Sequence, residues 1–400
     1  MLEKIINRVE VNTAVDALEK IRDSVTVPTK ISSFTHNFYK YPACFPETFP
    51  RTVIRSFSKE DDWILDPFVG GGTAAVEALA ANRNFVGSDI NDLAVFSSRF
   101  KTTLLDSSDL KDIENIFQNF KLSRQKVIIN QEHRIFFENV PNPISNFAVR
   151  AKDRLDALTR PRSHTFCLGV LLRLLQLELE RDYDVTEQKL EDRYLALLET
   201  FLEKNLQYQA SIQSFSFNFR PTVKILKSDV SNPGVVGDYM KTVSREFDLV
   251  VTSPPYPQRH ILYNKWQIQG RSETRLPYWI IDSGEHFPES HYTMGHRESQ
   301  TGLDLYLSLI HCAFSNVNSV LKKGGLAIQV VAFSNMKTQF YGFLDAMDAA
   351  GFEEVKNIDR KSYDGRLWRT VPNQKWYNRN KGNAGSCKEV ILFHRKKRNI

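Results

Sequence analysis

A short apolar run, Trp63-Ile64-Leu65, leads straight into Asp66-Pro67-Phe68-Val69-Gly70-Gly71-Gly72-Thr73, and an alanine-rich helical stretch over 74–81 follows. Residues 84–87 read as a second strand that ends at Ser88-Asp89. A strand, a glycine loop, a helix and a second strand in that order commit the chain to the doubly wound α/β class. Such folds bind ligands outside the carboxyl ends of parallel strands. The glycines let the backbone come close to a ligand, and the helix start adds free N–H groups. The loop lacks the Gly-Lys-Ser/Thr of a phosphate-binding P-loop and the GxGxxG spacing of a dinucleotide site. Asp89, at the end of the second strand, is placed to accept both ribose hydroxyls of a nucleoside; a helix N-cap is the plainer role for it.

The sheet pattern resumes late in the chain, with strands expected over 223–226, 247–252, 326–331 and 389–393. The strand at 326–331 is expected to follow a turn at Lys322-Lys323-Gly324-Gly325. Between them, Leu/Glu/Lys-rich segments with helical spacing dominate, notably 168–179 and 188–206. The expected organisation is an N-terminal helical arm (1–33), one α/β domain built from 34–100 and 220–400, and a mostly helical insertion (101–219). The sheet should be mostly parallel, with one antiparallel strand near the end. Hydrophobic residues make up 42% of the chain, enough for a full core without disulfide or metal staples. The four cysteines (Cys44, Cys167, Cys312, Cys387) form no CxxC pair and read as reduced thiols. The N-terminus shows no signal-peptide pattern, and the leucine-rich stretch 166–179 is interrupted by Arg173 and Glu178. A cytoplasmic protein with no membrane span is expected.

Asp66–Thr73 resembles the cofactor loop DPFxGxGT of the amino-methylating DNA methyltransferases, which use S-adenosyl-L-methionine (AdoMet). Upstream, Tyr41-Pro42-Ala43-Cys44-Phe45 is similar to that family's Tyr-Pro-Ala-Lys/Arg-Phe, with Cys44 as the departure. The resemblance implies an AdoMet-methyltransferase sheet and a cofactor site made from Phe45, Asp66, Pro67, Phe68, Gly70, Gly72, Thr73, Asp89 and Asp229. In it Phe68 would pack near the methionine part of AdoMet and Asp89 would hold the ribose. Asp229, after the third strand, would take the adenine amino group; a lone Asp after a strand is also often a cap.

The run Asp248-Leu249-Val250-Val251-Thr252-Ser253-Pro254-Pro255-Tyr256 is the most specific feature. A buried strand stops at two prolines, which cannot donate to a ladder and stiffen the chain, so the carbonyls here can face a substrate. An exocyclic base amine is a poor nucleophile because its lone pair is delocalised into the ring. Two acceptors on its N–H bonds draw the nitrogen toward tetrahedral geometry. Ser253 Oγ and the Pro254 carbonyl suit that task, and Tyr256 offers a flat face for a base flipped out of the duplex. Ser253, Pro254, Pro255 and Tyr256 are therefore the expected catalytic residues. By the resemblance, Ser at the first motif position leans toward cytosine N4 over adenine N6. A cytosine-C5 enzyme is disfavoured, because the loop holds no Pro-Cys nucleophile. The histidines show no metal-ligand spacing, and no metal is expected. His36 and His260 flank the motifs and read as hydrogen-bonded or surface residues.

Residues 360–400 carry twelve Lys/Arg against two Asp/Glu, so the remainder of a chain that sums to +6 is slightly acidic. Within this segment Arg360, Lys361, Arg366, Arg369, Lys375 and Arg379 lie among aromatics. That mixture suits tracking of a phosphate backbone, and double-stranded DNA is the expected partner. A solvated tail is the alternative reading of the charge. Target recognition is open between the helical insertion, residues 258–303 and residues 360–385. The rival functions are an N6-adenine DNA methyltransferase, an RNA base amino-methyltransferase, and a catalytically idle DNA-binding subunit of a defence complex. A cognate restriction endonuclease is a further candidate partner.

Overall fold

Every position of strand β4 (Phe247–Thr252) is buried, as are three of four in β1 (Trp63–Asp66) and five of six in β2 (Asn84–Asp89). Runs that are apolar on both faces belong in the middle of a parallel sheet, covered on each side by helices. The computed structural model describes residues 18–24, 33–42, 44–122, 126–181, 185–213, 220–257, 265–284, 294, 300–333, 335–356, 362–370 and 388–398. In it these strands lie at the centre of an eight-stranded sheet. The other members are β3 (Val223–Lys227), β7 (Leu321–Ala332), β8 (Phe352–Glu354), β9 (Leu367–Thr370) and β10 (Lys388–Lys396). The order is β3-β2-β1-β4-β7-β10-β8, and β9 also pairs with β10. Pairing is parallel from β3 through β7. β10 runs antiparallel to β7, β8 and β9. The reversed strand near the end, expected from the sequence, is β10. The order changes direction at β1, so the carboxyl ends of β1 and β4 border the crevice where doubly wound sheets bind ligands.

The expected turn at 322–325 is part of the strand. β7 begins at Leu321, pairs with Phe247, and shifts register before Leu326 meets Leu249. Gly324, at φ +70°, supplies the left-handed residue that lets pairing continue across the irregularity.

One face of the sheet is covered by α1 (Thr48–Phe57) and α2 (Thr73–Ala80). Four longer helices fill the region between β2 and β3 beyond α3 (Asp92–Thr102): α4 (Ser107–Asn119), α5 (Asn142–Leu155), α6 (Pro161–Glu180) and α7 (Glu187–Gln213). They form their own core, into which Phe38, Tyr39 and Tyr41 insert; Phe38 stacks on Phe201 with centroids 4.3 Å apart. A small hairpin, β5 (Trp266–Ile268) and β6 (Ser272–Thr274), joins that core, and Trp266 Nε1 donates to Tyr39 Oη at 2.8 Å. The helical layer is bonded to the glycine-loop helix, since Tyr208 Oη donates to the Val76 carbonyl at 2.9 Å. On the opposite face lie α8 (Gly234–Val243), the short α9 (Leu276–Ile280) belongs to the helical layer, and α10 (Gln300–Val320) and α11 (Tyr341–Ala349) complete the cover. Among the described residues no helix is long and apolar enough to cross a membrane.

Candidate active site

The glycine loop is shaped by bonds to its own backbone. Gly70 N–H donates to Asp89 Oδ2 at 3.0 Å and Val69 N–H to the Ser88 carbonyl at 2.9 Å, so the loop is clamped to the end of β2. Ser98 Oγ and Lys101 Nζ, both on α3, donate to the carbonyls of Gly70 (2.9 Å) and Gly71 (2.8 Å). Those carbonyls point into the protein. Gly70 has φ +48°, a conformation that L side chains seldom adopt. A Cβ on Gly71 would lie 2.7 Å from Tyr41 Cβ and 2.9 Å from Cys44 Sγ. Tyr41 and Cys44, from the aromatic segment upstream, therefore pack directly over the loop.

A cleft opens beside it. Pro67, Phe68 and Gly70 form one wall, and Asp89, Ile90 and Asn91 the next. Ser228, Asp229 and Val230, after β3, close one end. Tyr41, Met294, Ser253 and Pro255 complete the lining, so the loop after β4 shares the cleft with the glycine loop.

Asp66 braces the two loops from beneath. It is 1% exposed, and its Oδ1 accepts from Phe68 N–H (3.1 Å) and from Thr252 Oγ1 (2.6 Å). Burial pushes its carboxyl up from the ordinary 3.8 to about 7. Burial likewise raises Asp89 to about 6, against the pull of backbone N–H donors from Asn91, Gly70 and Ile90. Ser253 Oγ donates to the Val330 carbonyl on β7 at 3.0 Å, which spends its proton and leaves its lone pairs for accepting. The Pro255 carbonyl takes the Tyr306 hydroxyl at 2.9 Å. Tyr256 Oη donates to Glu389 Oε1 at 2.7 Å, and burial beside that carboxylate holds the phenol well above its usual range.

The cleft brings together Pro67, Phe68, Gly70, Asp89, Asp229, Ser253 and Pro255 of the residues singled out in the sequence. Asp229 Oδ1 is also engaged in a local turn, accepting from Ser231 N–H and Oγ. Four expected cofactor residues stand behind the lining. Phe45 turns to Phe49 on α1 (ring centroids 5.5 Å), Asp66 is the buried brace, Gly72 caps α2 against Ser98, and Thr73 is buried in the first turn of α2. From the aromatic segment it is Tyr41 that reaches the cleft. Asn91 was not anticipated; its side chain is fixed by the Tyr278 hydroxyl at 2.8 Å. Nothing local to Asn91 in the sequence announces this, because the partner is 187 residues away. Pro254 and Tyr256 sit in the loop after β4 without lining the cleft itself.

Two of the expected phosphate contacts are ion-paired within the fold. Arg366 gives a two-pronged ion pair to Glu354 (2.6 and 2.8 Å) and a further bond to Asp364. Arg369 is 6% exposed and paired with Glu389, its cross-strand neighbour. Both guanidinium groups are consumed by carboxylates within the sheet edge, which a count of basic residues cannot reveal. Arg360, Lys361, Lys375, Arg379 and His260 lie outside the described residues. His36 Nε2 meets Glu77 at 2.7 Å and Glu47 at 3.2 Å, a spacing that metal ligands also show. Arg51 already bonds both oxygens of Glu77, so that carboxylate is engaged by a protein cation.

Residues 14–96 match the family model described as a DNA methylase of the N6/N4 amino-methylating type. The chain is similar to the type II methyltransferase M.MvaI of Kocuria varians, 26% identical over 267 residues, which cover 57% of this chain and 54% of that protein. Shorter matches reach the orphan methyltransferase M.BamHII of Bacillus amyloliquefaciens and the type II methyltransferase M.MjaI of Methanocaldococcus jannaschii. The first is 42% identical over 53 residues (13% of this chain, 20% of the relative) and the second 47% over 49 residues (12% and 16%). The chain thus spans about half the length of the first of these relatives and a fifth or less of the other two. Together the family model and these relatives support an amino-methylating DNA methyltransferase family, whose methyl donor is AdoMet.

Proposed function

We propose that this member of the amino-methylating DNA methyltransferases transfers a methyl group from AdoMet to the exocyclic amine of a base flipped from duplex DNA, with cytosine N4 as the acceptor. One observation carries the proposal: Ser253 and Pro255 line the same cleft as Gly70 and Asp89. The residues fit the cofactor. A carboxylate partly open to the cleft suits a ribose diol, Phe68 offers an apolar face, and Asp229 has a second oxygen beyond its turn. AdoMet, when bound, supplies an electrophilic methyl group.

The chain's own groups prepare the acceptor. Ser253, its proton committed to Val330, presents an oxygen that can only accept from the base amine. The Pro254 carbonyl is the second acceptor, held by a stiff Pro-Pro segment. The Asp66 brace ties this loop to the cofactor loop, so residues that would hold the donor and residues that would hold the amine share one frame. Positioning and electrostatic preorganisation carry most of the acceleration in this arrangement. Cytosine is preferred in this reading because serine opens the motif; adenine N6 would use the same frame with a different base.

Phosphate contacts are assigned to Arg360, Lys361, Lys375 and Arg379, and target recognition to the helical layer or the segments around residues 258–303. The names of the relatives extend the proposal to a restriction–modification setting, with an endonuclease of matching specificity as partner. The test is a separation of functions. Ser253→Ala should abolish methyl transfer to unmethylated duplex DNA while leaving AdoMet affinity within about twofold, a change under 0.5 kcal/mol. Normal turnover in that variant rejects the amine-activation site.

A further inference from the structure

The tyrosine of the Ser-Pro-Pro-Tyr loop is held at its far end by a buried ion pair contributed by the last two strands. Tyr256 Oη donates to Glu389 Oε1 at 2.7 Å, and Arg369 closes on Glu389 Oε2 through both Nε and Nη2. Glu389 and Arg369 are each 6% exposed. Their register explains the contact. Glu389 stands opposite Arg369 in the β9–β10 ladder and opposite Ala332 in the β7–β10 ladder. Ala332 ends β7 two residues beyond Val330, whose carbonyl binds Ser253. The start of β10 therefore lies against the loop after β4, although 133 residues separate Tyr256 from Glu389.

We infer that Glu389, held by Arg369, is a positioning residue that fixes the plane of the Tyr256 ring for the flipped base. The inference rests on the reading that the Ser253–Tyr256 loop meets the base. A tyrosine has two side-chain torsions. The Pro-Pro segment sets the backbone end of the residue, and a charge-assisted bond at the hydroxyl sets the other, leaving the ring little freedom. An ion pair this deep is a costly way to fill space, because an apolar pair of similar volume is often as stable or more so. Its carboxylate has a use that an apolar residue cannot supply, namely accepting a hydrogen bond from the phenol while remaining neutralised by Arg369. Neither residue touches the base or the cofactor in this account.

The experiment compares steady-state kinetics of Tyr256→Phe, Tyr256→Ala, Glu389→Gln and Tyr256→Phe/Glu389→Gln on long unmethylated duplex DNA. Tyr256→Phe keeps the ring and leaves Glu389 paired with Arg369, so folding is preserved. Its kcat should fall about tenfold, the order expected when a reacting group is slightly misplaced, while AdoMet Kd stays within about twofold. Glu389→Gln leaves one acceptor oxygen for two donors and should lower kcat in the same direction. In the Tyr256→Phe background it should add less than about a twofold loss, because the interaction it disturbs is already gone. Wild-type kcat for Tyr256→Phe, with Tyr256→Ala inactive, overturns the positioning role and leaves the active-site reading standing. Equal losses from Glu389→Gln in both backgrounds also overturn it, since the effect would then be on general stability. Near-normal turnover of Tyr256→Ala instead rejects the site on which the inference rests.

Discussion

AdoMet affinity should depend on pH through Asp89. Burial raises this carboxyl from 3.8 to about 6, and its two oxygens already accept from Gly70 and Asn91 N–H groups. The ribose hydroxyls require the ionised form as acceptor. The sign follows from linkage. In the free protein Asp89 takes up its proton more readily than an unfolded chain does, so its burial costs stability as pH rises from about 4 to about 6. A ligand that donates hydrogen bonds to the carboxylate recovers part of that cost, so binding is full above about pH 6 and weakens below it. One unit below that value about a tenth of the sites are ionised, and affinity should drop about tenfold, or ~1.4 kcal/mol. Isothermal titration calorimetry across about pH 5 to 8, in two buffers of different ionisation heat, reads both the affinity and a proton released on binding. Asp89→Asn should bind at least about tenfold more weakly at neutral pH and lose the acidic limb of the profile. Asp89→Ala should weaken binding to at least the same degree. Equal affinity at the two ends of the range, or an unweakened Asp89→Asn, refutes the ribose role.

Asp66→Asn keeps the oxygen that accepts from Phe68 and Thr252 and removes a carboxyl that titrates near 7 when buried. Its melting temperature should rise at about pH 8, by the equivalent of a few kcal/mol, and the gain should shrink as pH falls through about 7 and vanish below about pH 3, where the wild-type group is neutral in both states; thermal melts showing a loss at the higher pH contradict this. Arg369→Ala leaves Glu389 buried without its cation and should cost ~3–5 kcal/mol in denaturant titrations. If Arg369 were instead a phosphate contact, the stability loss would be small and the slope of log K for DNA against log salt would shallow by about 0.9. Gly71→Ala drives a methyl group into Tyr41 and Cys44. It should destabilise the fold by about 1–3 kcal/mol and loosen AdoMet binding, and an unchanged melting curve would show that the loop is less tightly packed than the structure has it.

Local patterns made the sheet legible. Trp63–Asp66, Asn84–Asp89 and Phe247–Thr252 are apolar runs ended by loop signals, and each is a strand. The direction reversal at β10 was expected from the family resemblance, since no local pattern fixes strand direction. What escaped was set by distant pairing. Leu367–Thr370 becomes a strand because it pairs with β10. Lys322–Gly325 looks like a turn, yet a positive-φ glycine carries the strand across it. In the cleft, Phe68, Asp89 and Ser253 were readable because a loop or strand end positions each one. Tyr41 and Asn91 join only through tertiary packing. A charge run shows no pairing: Arg366 and Arg369 are each engaged by a carboxylate of the fold, which only the tertiary structure reveals.

The atom that receives the methyl group separates the possible acceptors. Unmethylated duplex DNA incubated with the protein and isotopically labelled AdoMet, then digested to nucleosides and separated, identifies it directly. Label should appear in N4-methylcytosine. Label in N6-methyladenine would retain the site and overturn the cytosine assignment, and label in 5-methylcytosine or in no nucleoside at all would contradict amine methylation by Ser253 and its loop.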